Sequence, residues 1–562
     1  MSKFPMKNFQ LIKELQRLGL EICRQRRNFD GTFKHTKTMT GKDTLKLLSF
    51  AAAGASSLIG ATACSEKDKS TPQAQPNIVL IVADDLGLGD VSLYSGSDLV
   101  QTPRIDSLGR AGRQFNRAYA TSATSTPSRY ALFTGMYPWR RGTAILPGDA
   151  PLIIDTAANT LPKMLQDLGY ATAAIGKWHL GMGYGKLDWN SHISPEANTV
   201  GFDYTNIIPA TVDRVPCVYI ENGDVVNLDP SDPITVDYDN ELPGERNAIN
   251  SPELMEMRWD HGHQGTIING IPRIGHMTGG KAALWDDSTM AEYFLSKAES
   301  FIDKNAGRPF FLYYGLHQPH VPRTAGAAFK GKTTLGPRGD VIAEADWCVG
   351  QVIDRLDSLG LLDNTLVIFT SDNGAVLQDG YQDDALELAT QQGYDPDDGL
   401  RGGKYSLFDG GAHIPFIAYW KGHIQPSVSE ACFCQMDLYA TLAGILGGSV
   451  PQGLDSESYV DVLVGDDTLK GRETLILEAQ GRLALKEGDM VMIPAYSGTN
   501  ENPTGIDFGI NPEATLWNLS SDRSQKTDIA KDNKSLVERM TRTFKNLVGD
   551  AYVSDFEAEE LH

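Results

Sequence analysis

The stretch Asn77-Ile78-Val79-Leu80-Ile81-Val82-Ala83, which runs straight into Asp84-Asp85, is unbroken apolar sequence of largely β-branched character. Strands buried on both faces read this way, and parallel sheets covered by helices are built from them. Outward from it, Ala171–Ile175, Phe310–Gly315, Leu366–Thr370 and Pro415–Trp420 have the same texture. Helical patterns lie between. After a cap at Asp286-Asp287-Ser288, Ala291, Phe294, Leu295, Ala298, Phe301 and Ile302 recur at three- and four-residue spacing. A second face, Ala345, Val349, Val352, Ile353, Leu356 and Leu359, stops at Gly360. Strands alternating with helices predict an α/β fold, a mixed and mostly parallel sheet flanked by helices.

Two segments break the alternation: 187–280, rich in Gly, Pro, Asn and Asp around Trp259-Asp-His-Gly-His263, and the acidic 376–400. Long irregular stretches inside a domain are usually functional loops. From about 452 the texture shifts to short strands (Thr474–Ala479, Met490–Ile493, Ala514–Leu519) and an amphipathic helix, Lys534–Val548. This predicts a catalytic domain over 76–451 and a smaller C-terminal α+β domain over 452–562.

The N-terminus carries an address. Lys42 and Lys46 precede the apolar run Leu47–Ala63, which ends at Cys64. A positive flank, a short apolar stretch and small residues describe a signal peptide rather than a spanning helix. Ala61-Thr-Ala-Cys64 resembles a bacterial lipobox, in which the cysteine is lipidated and becomes residue one. Residues 1–63 therefore read as an extension and lipoprotein-type signal, with Met39 as a plausible true start. Residues 64–75 read as a tether. The expected location is outside the cytoplasm, in the periplasm or on the cell surface, with the membrane reached only through a lipid anchor at Cys64.

The 562-residue chain has a formal charge of −22, which argues against a nucleic-acid partner. The six cysteines have no framework spacing, and Cys217, Cys348, Cys432 and Cys434 read as buried small apolar residues.

Four strand candidates each end in a polar cluster: Asp84-Asp85, Lys177-Trp-His179, His317-Gln-Pro-His320 and Asp372-Asn-Gly374. Ligands in open parallel sheets bind beyond the carboxyl ends of the strands, so the four should share one pocket. Asp84, Asp85, Asp372 and Asn373 offer only oxygen ligands, which suits Ca²⁺, with Mg²⁺ second, over zinc. The segment Ser125-Thr-Pro-Ser-Arg129 with Leu132-Phe-Thr-Gly135 puts Pro127 at a first helical position and the Ser125 hydroxyl at a helix N-terminus, which stabilises anions.

That segment resembles the sulfatase signature: Cys or Ser, any residue, Pro-Ser-Arg, then Leu-x-Thr-Gly. The resemblance covers 77–420, with Gly176-Lys-Trp-His-Leu-Gly181, His317-x-Pro and Arg401-Gly-Gly-Lys404 in family order. It implies an alkaline-phosphatase-like fold and conversion of Ser125 to formylglycine (3-oxoalanine) by a serine-type maturing enzyme. An unactivated serine is a poor nucleophile, and the hydrated aldehyde answers that. It also implies Ca²⁺ held by Asp84, Asp85, Asp372 and Asn373 and touching residue 125. Arg129 steadies the formylglycine, and Lys177 and Lys404 clamp sulfate. His179 accepts the nucleophile's proton, and His317 binds substrate and protonates the leaving sugar oxygen. His320 reads as structural. Asp409-Gly-Gly411 and His413 depart from the family's Glu-Gly-Gly and Arg, and look like turn-stabilising positions.

The implied activity is hydrolysis of sulfate monoesters on a sulfated saccharide. His317–Arg338 resembles the N-acetylgalactosamine-6-sulfatase branch, pointing to 6-O-sulfated galactose or N-acetylgalactosamine. Segments 187–280, 376–400 and the C-terminal domain should frame the pocket. Two other readings remain open at this point: a phosphate or phosphonate ester hydrolase on the same scaffold, and an inactive sulfoglycan-binding lipoprotein.

Overall fold

The computed structural model describes residues 75–553 apart from 466, 467 and 503, so the signal-like segment and Cys64 lie outside the described residues. The strand Asn77–Ala83 is buried along its whole length. It lies between Phe310–Gly315 and Thr365–Ser371, both parallel to it. Ala171–Lys177 and Tyr204–Ile208 extend the parallel set on one side. On the other side Phe416–Tyr419 turns antiparallel, followed by Arg113–Tyr119 and Ser427–Cys434. With two short strands, Ile220–Glu221 and Asp224–Val225, the sheet has ten strands. It is mixed and mostly parallel, as the apolar runs require.

The helix Met290–Asn305 buries the predicted face, Ala291 through Ile302. The helix Gly336–Ser358 begins well before the predicted apolar face. Its first turns bury charge, with Arg338 paired to Asp90, and hydropathy does not register such a turn. Arg113–Tyr119 was hidden for a similar reason: Arg113 is buried in the strand, and its guanidinium donates to the carbonyls of Val462 at 2.6 Å and Gly465 at 2.9 Å.

Beyond the main sheet, Thr474–Ala479, Arg482–Glu487, Met490–Ile493 and Thr515–Asn518 form an antiparallel sheet. The helix Lys534–Val548 buries Met540, Phe544 and Val548 beside it. This unit shares one apolar cluster with Tyr119, Tyr137 and Phe408 of the larger part. Its first strand also reaches the turn before Ser125: Ala123 N–H donates to the Glu478 carbonyl at 2.8 Å, and Glu478 N–H donates to the Thr121 carbonyl at 3.0 Å.

The Glu478 side chain is fully buried there, and burial pushes its carboxyl up to about 7. A carboxyl with a raised folded-state pKa adds stability below the unfolded value, and that stability is lost as pH rises through about 7. Glu478→Gln is therefore expected to raise unfolding free energy at pH 8, on the order of 3 kcal/mol, with little gain at pH 4. Chemical denaturation at the two pH values checks this.

Candidate active site

Parallel pairing brings the carboxyl ends of the four central strands to one rim, and the predicted clusters meet there. Asp85 N–H donates to Asp372 Oδ1 at 3.2 Å, and Asn373 Nδ2 donates to Asp85 Oδ1 at 2.8 Å. Asp84 N–H is held by the Gln318 carbonyl at 2.9 Å. Gly176 precedes Lys177 with φ +97°, and a Cβ there would stand 1.9 Å from the Gly315 carbonyl. Glycine therefore lets two neighbouring strands close up at the rim. Asp85 and His179 adopt positive φ (63° and 58°), a backbone cost that concentrates at functional sites.

The helix carrying the signature runs Ser125–Thr134, with Thr124 as its cap. Ser125 thus stands inside the first turn rather than just before it. Its Oγ accepts from Lys177 Nζ at 2.7 Å and lies 3.3 Å from both Asp84 Oδ1 and Asn373 Oδ1. Asp84, Ser125, Lys177, Asp372 and Asn373 therefore form one buried knot. Arg129 lies behind it. Its guanidinium donates to Asp372 Oδ2 at 2.9 Å and to the Tyr313 hydroxyl. The structure gives Arg129 these partners instead of a direct bond to Ser125, so it braces the neighbouring carboxylate.

Burial lowers the Lys177 ammonium, against the pull of Asp84 and Asp372. It also works against ionising Asp372, but Arg129 and Lys177 outweigh it and hold that carboxyl well below the usual range. Lys404 is likewise buried, yet Asp379 and Asp85, each 2.8 Å from its Nζ, raise it well above an ordinary lysine.

A small cavity stands over Ser125, walled by His179, Arg214, His263, His320 and Lys404 among others. The two histidines of the His317–His320 cluster part company here. His320 faces the cavity: its Nδ1 is committed to the Val321 carbonyl, and its Nε2 accepts from Lys404 Nζ at 3.2 Å. His317 is not in the cavity wall, and burial lowers its ring to about 4. The structure thus places His320, which the sequence reads as structural, at the cavity beside Lys404, and His317 outside the cavity wall.

The His179 ring is fixed by its Nε2, 2.9 Å from the Leu146 carbonyl, while Nδ1 is buried without a partner. Burial, then Lys177, hold this imidazole well below its ordinary value. Asp213, Arg214, His261 and His263 come from segment 187–280, and Asp379 from 376–400, so both loops do frame the cavity. Among the described residues the C-terminal unit adds no wall residue; it meets the site's surroundings at the strand pairing of Thr121–Ala123 and at Leu407, whose N–H donates to the Phe508 carbonyl at 3.0 Å. Asp409 and His413 pair with each other at 2.6 Å and with Tyr119 and the Asn116 carbonyl, a brace outside the cavity.

The donor set fits a hard divalent cation. Asp84 Oδ2 is buried without a hydrogen-bond partner, and Asp84, Asp85 and His320 place ligand atoms within 4.8 Å of one another. Asn373 turns its amide nitrogen to Asp85, leaving its oxygen toward Ser125. Carboxylate and amide oxygens of this kind suit Ca²⁺ or Mg²⁺.

A sulfatase family model matches residues 76–448. The N-acetylgalactosamine-6-O-sulfatase of Bacteroides thetaiotaomicron is 46% identical over 499 residues, 88% of this chain and 97% of that protein. Human (Homo sapiens) arylsulfatase A is 32% identical over 81% of this chain and 83% of its own. A solved Bacteroides thetaiotaomicron 6S-sulfatase, described with glycosaminoglycan metabolism, superposes with a TM-score of 0.82 at 47% identity. The match covers 84% of this chain and 99% of that one.

Proposed function

Because this chain belongs to the sulfatase family, and is thereby a sulfuric ester hydrolase, we propose that it removes 6-O-sulfate from N-acetylgalactosamine or galactose in glycans. The observation that carries the reading is Ser125: a hydroxyl buried at a helix N-terminus, within hydrogen-bond reach of Lys177, Asp84 and Asn373. The sugar preference is read from the relative to which it is 46% identical over 499 residues.

Asp84, Asp85, Asp372 and Asn373 would hold Ca²⁺, which lowers the pKa of a bound hydroxyl and offsets charge on a transferring group. Converted to formylglycine by a serine-type maturing enzyme, residue 125 would supply a hydrated aldehyde as nucleophile. Around it, Lys177 and Lys404 hold the anionic sulfate oxygens. Both are buried, where charge is screened far less than on the acidic surface. His179 receives a proton at Nδ1, its one unpartnered ring nitrogen. His320 takes a proton at Nε2 from the Lys404 ammonium that donates to it and passes it to the leaving oxygen, and Arg129 keeps Asp372 in place. Export and lipid anchoring at Cys64 belong to the same reading, since sulfated glycans are met outside the cytoplasm. The mature N-terminal peptide should carry an acyl group on Cys64.

Turnover of a panel of regiochemically defined sulfated monosaccharides tests the reading. The 6-O-sulfates should be cleaved fastest; their inertness, or faster turnover of a matched phosphate ester, overturns it. Chelation with EGTA should abolish activity, and Ca²⁺ should restore it more fully than Mg²⁺ in the same assay.

A further inference from the structure

We propose that Thr126, at the unspecified position of the Ser-x-Pro-Ser-Arg segment, is the positioning residue that sets the His179 ring for proton acceptance. The inference rests on His179 acting as proposed above. Thr126 is fully buried. Its hydroxyl donates to the His179 carbonyl at 3.0 Å and accepts from Leu146 N–H at 3.4 Å. The Leu146 carbonyl in turn lies 2.9 Å from His179 Nε2. These three contacts close a ring joining the first turn of the Ser125 helix, the end of the strand Ala171–Lys177 and the segment 142–150.

The chemistry of the closing contact fixes a tautomer. A carbonyl only accepts, so Nε2 must carry the hydrogen, and the neutral ring keeps its lone pair on Nδ1. Nδ1 is buried with no hydrogen-bond partner, an expensive arrangement unless a reacting group meets it. His179 also sits at φ 58°, a conformation that a non-glycine residue keeps only when its surroundings hold it. Thr126 holds both ends: the backbone of His179 directly, and its ring through Leu146. Being next in sequence to Ser125, it ties the base to the nucleophile's own helical turn.

Valine matches threonine in shape and removes only the hydroxyl, leaving the His179 carbonyl and Leu146 N–H unpaired. With kcat expressed per formylglycine, measured from the residue-125 peptide mass, Thr126→Val should lower kcat about tenfold on 6-O-sulfated N-acetylgalactosamine and leave KM within about twofold. Thr126→Ser should recover most of the loss. In a His179→Gln background, Thr126→Val should cost little more, because the two changes disable one unit. An unchanged kcat in Thr126→Val, no recovery with serine, or full additivity with His179→Gln overturns the inference while leaving the role of His179 intact. Full activity in His179→Gln alone overturns both.

Discussion

Ser125→Ala is expected to reduce kcat/KM at least about 10⁴-fold while changing the melting temperature by no more than about 2 °C. The asymmetry follows from the partners. Lys177, Asp84 and Asn373 each touch the Ser125 hydroxyl, but each has a second partner that survives the substitution. Lys177 keeps Asp84 and Asn373 keeps Asp85. Only the reacting atom is lost. Steady-state kinetics with a parallel thermal melt decides the matter: retention of more than about 1% of activity places the nucleophile elsewhere.

Asp372→Asn should have the opposite balance, lowering stability by about 3–5 kcal/mol as well as activity. The Asp372 side chain is 1% exposed and the Arg129 side chain 0%. Neutralising the acid leaves a guanidinium in the core with no bonded carboxylate, only neutral acceptors: the new amide oxygen, a tyrosine hydroxyl and one carbonyl. Removing one member of a buried pair costs far more than the pair contributes, because the surviving charge cannot reach water. Urea unfolding measures this directly. A loss below about 1 kcal/mol would mean that Tyr313 and the Lys177 carbonyl suffice for Arg129. The contrast with Glu478→Gln is informative: both remove a buried carboxylate charge, but Glu478 has no cation to orphan.

The parallel core was legible because its strands are apolar throughout: Asn77–Ala83 and Phe310–Gly315 appear with the expected bounds, as does Thr474–Ala479 of the C-terminal antiparallel sheet. Convergence of Asp84, Lys177 and Asp372 was legible too, since parallel strands must end on the same edge. What the sequence could not carry was direction after a strand ends. His317 and His320 are three residues apart in one loop, and only the fold decides that the second ring meets Lys404. Asp213, Arg214 and Asp379 reach the cavity from irregular segments that have no periodicity to read. Arg113–Tyr119 escaped because its buried arginine is satisfied by carbonyls more than three hundred residues away.

Everything catalytic proposed for this enzyme depends on residue 125 being an aldehyde in the active protein. Mass spectrometry of the peptide containing Ser125, from material matured in its native type of host, tests that most directly. The expected result is a species lighter by two hydrogens whose abundance tracks specific activity across preparations. Fully active protein with an intact serine at position 125 would contradict it.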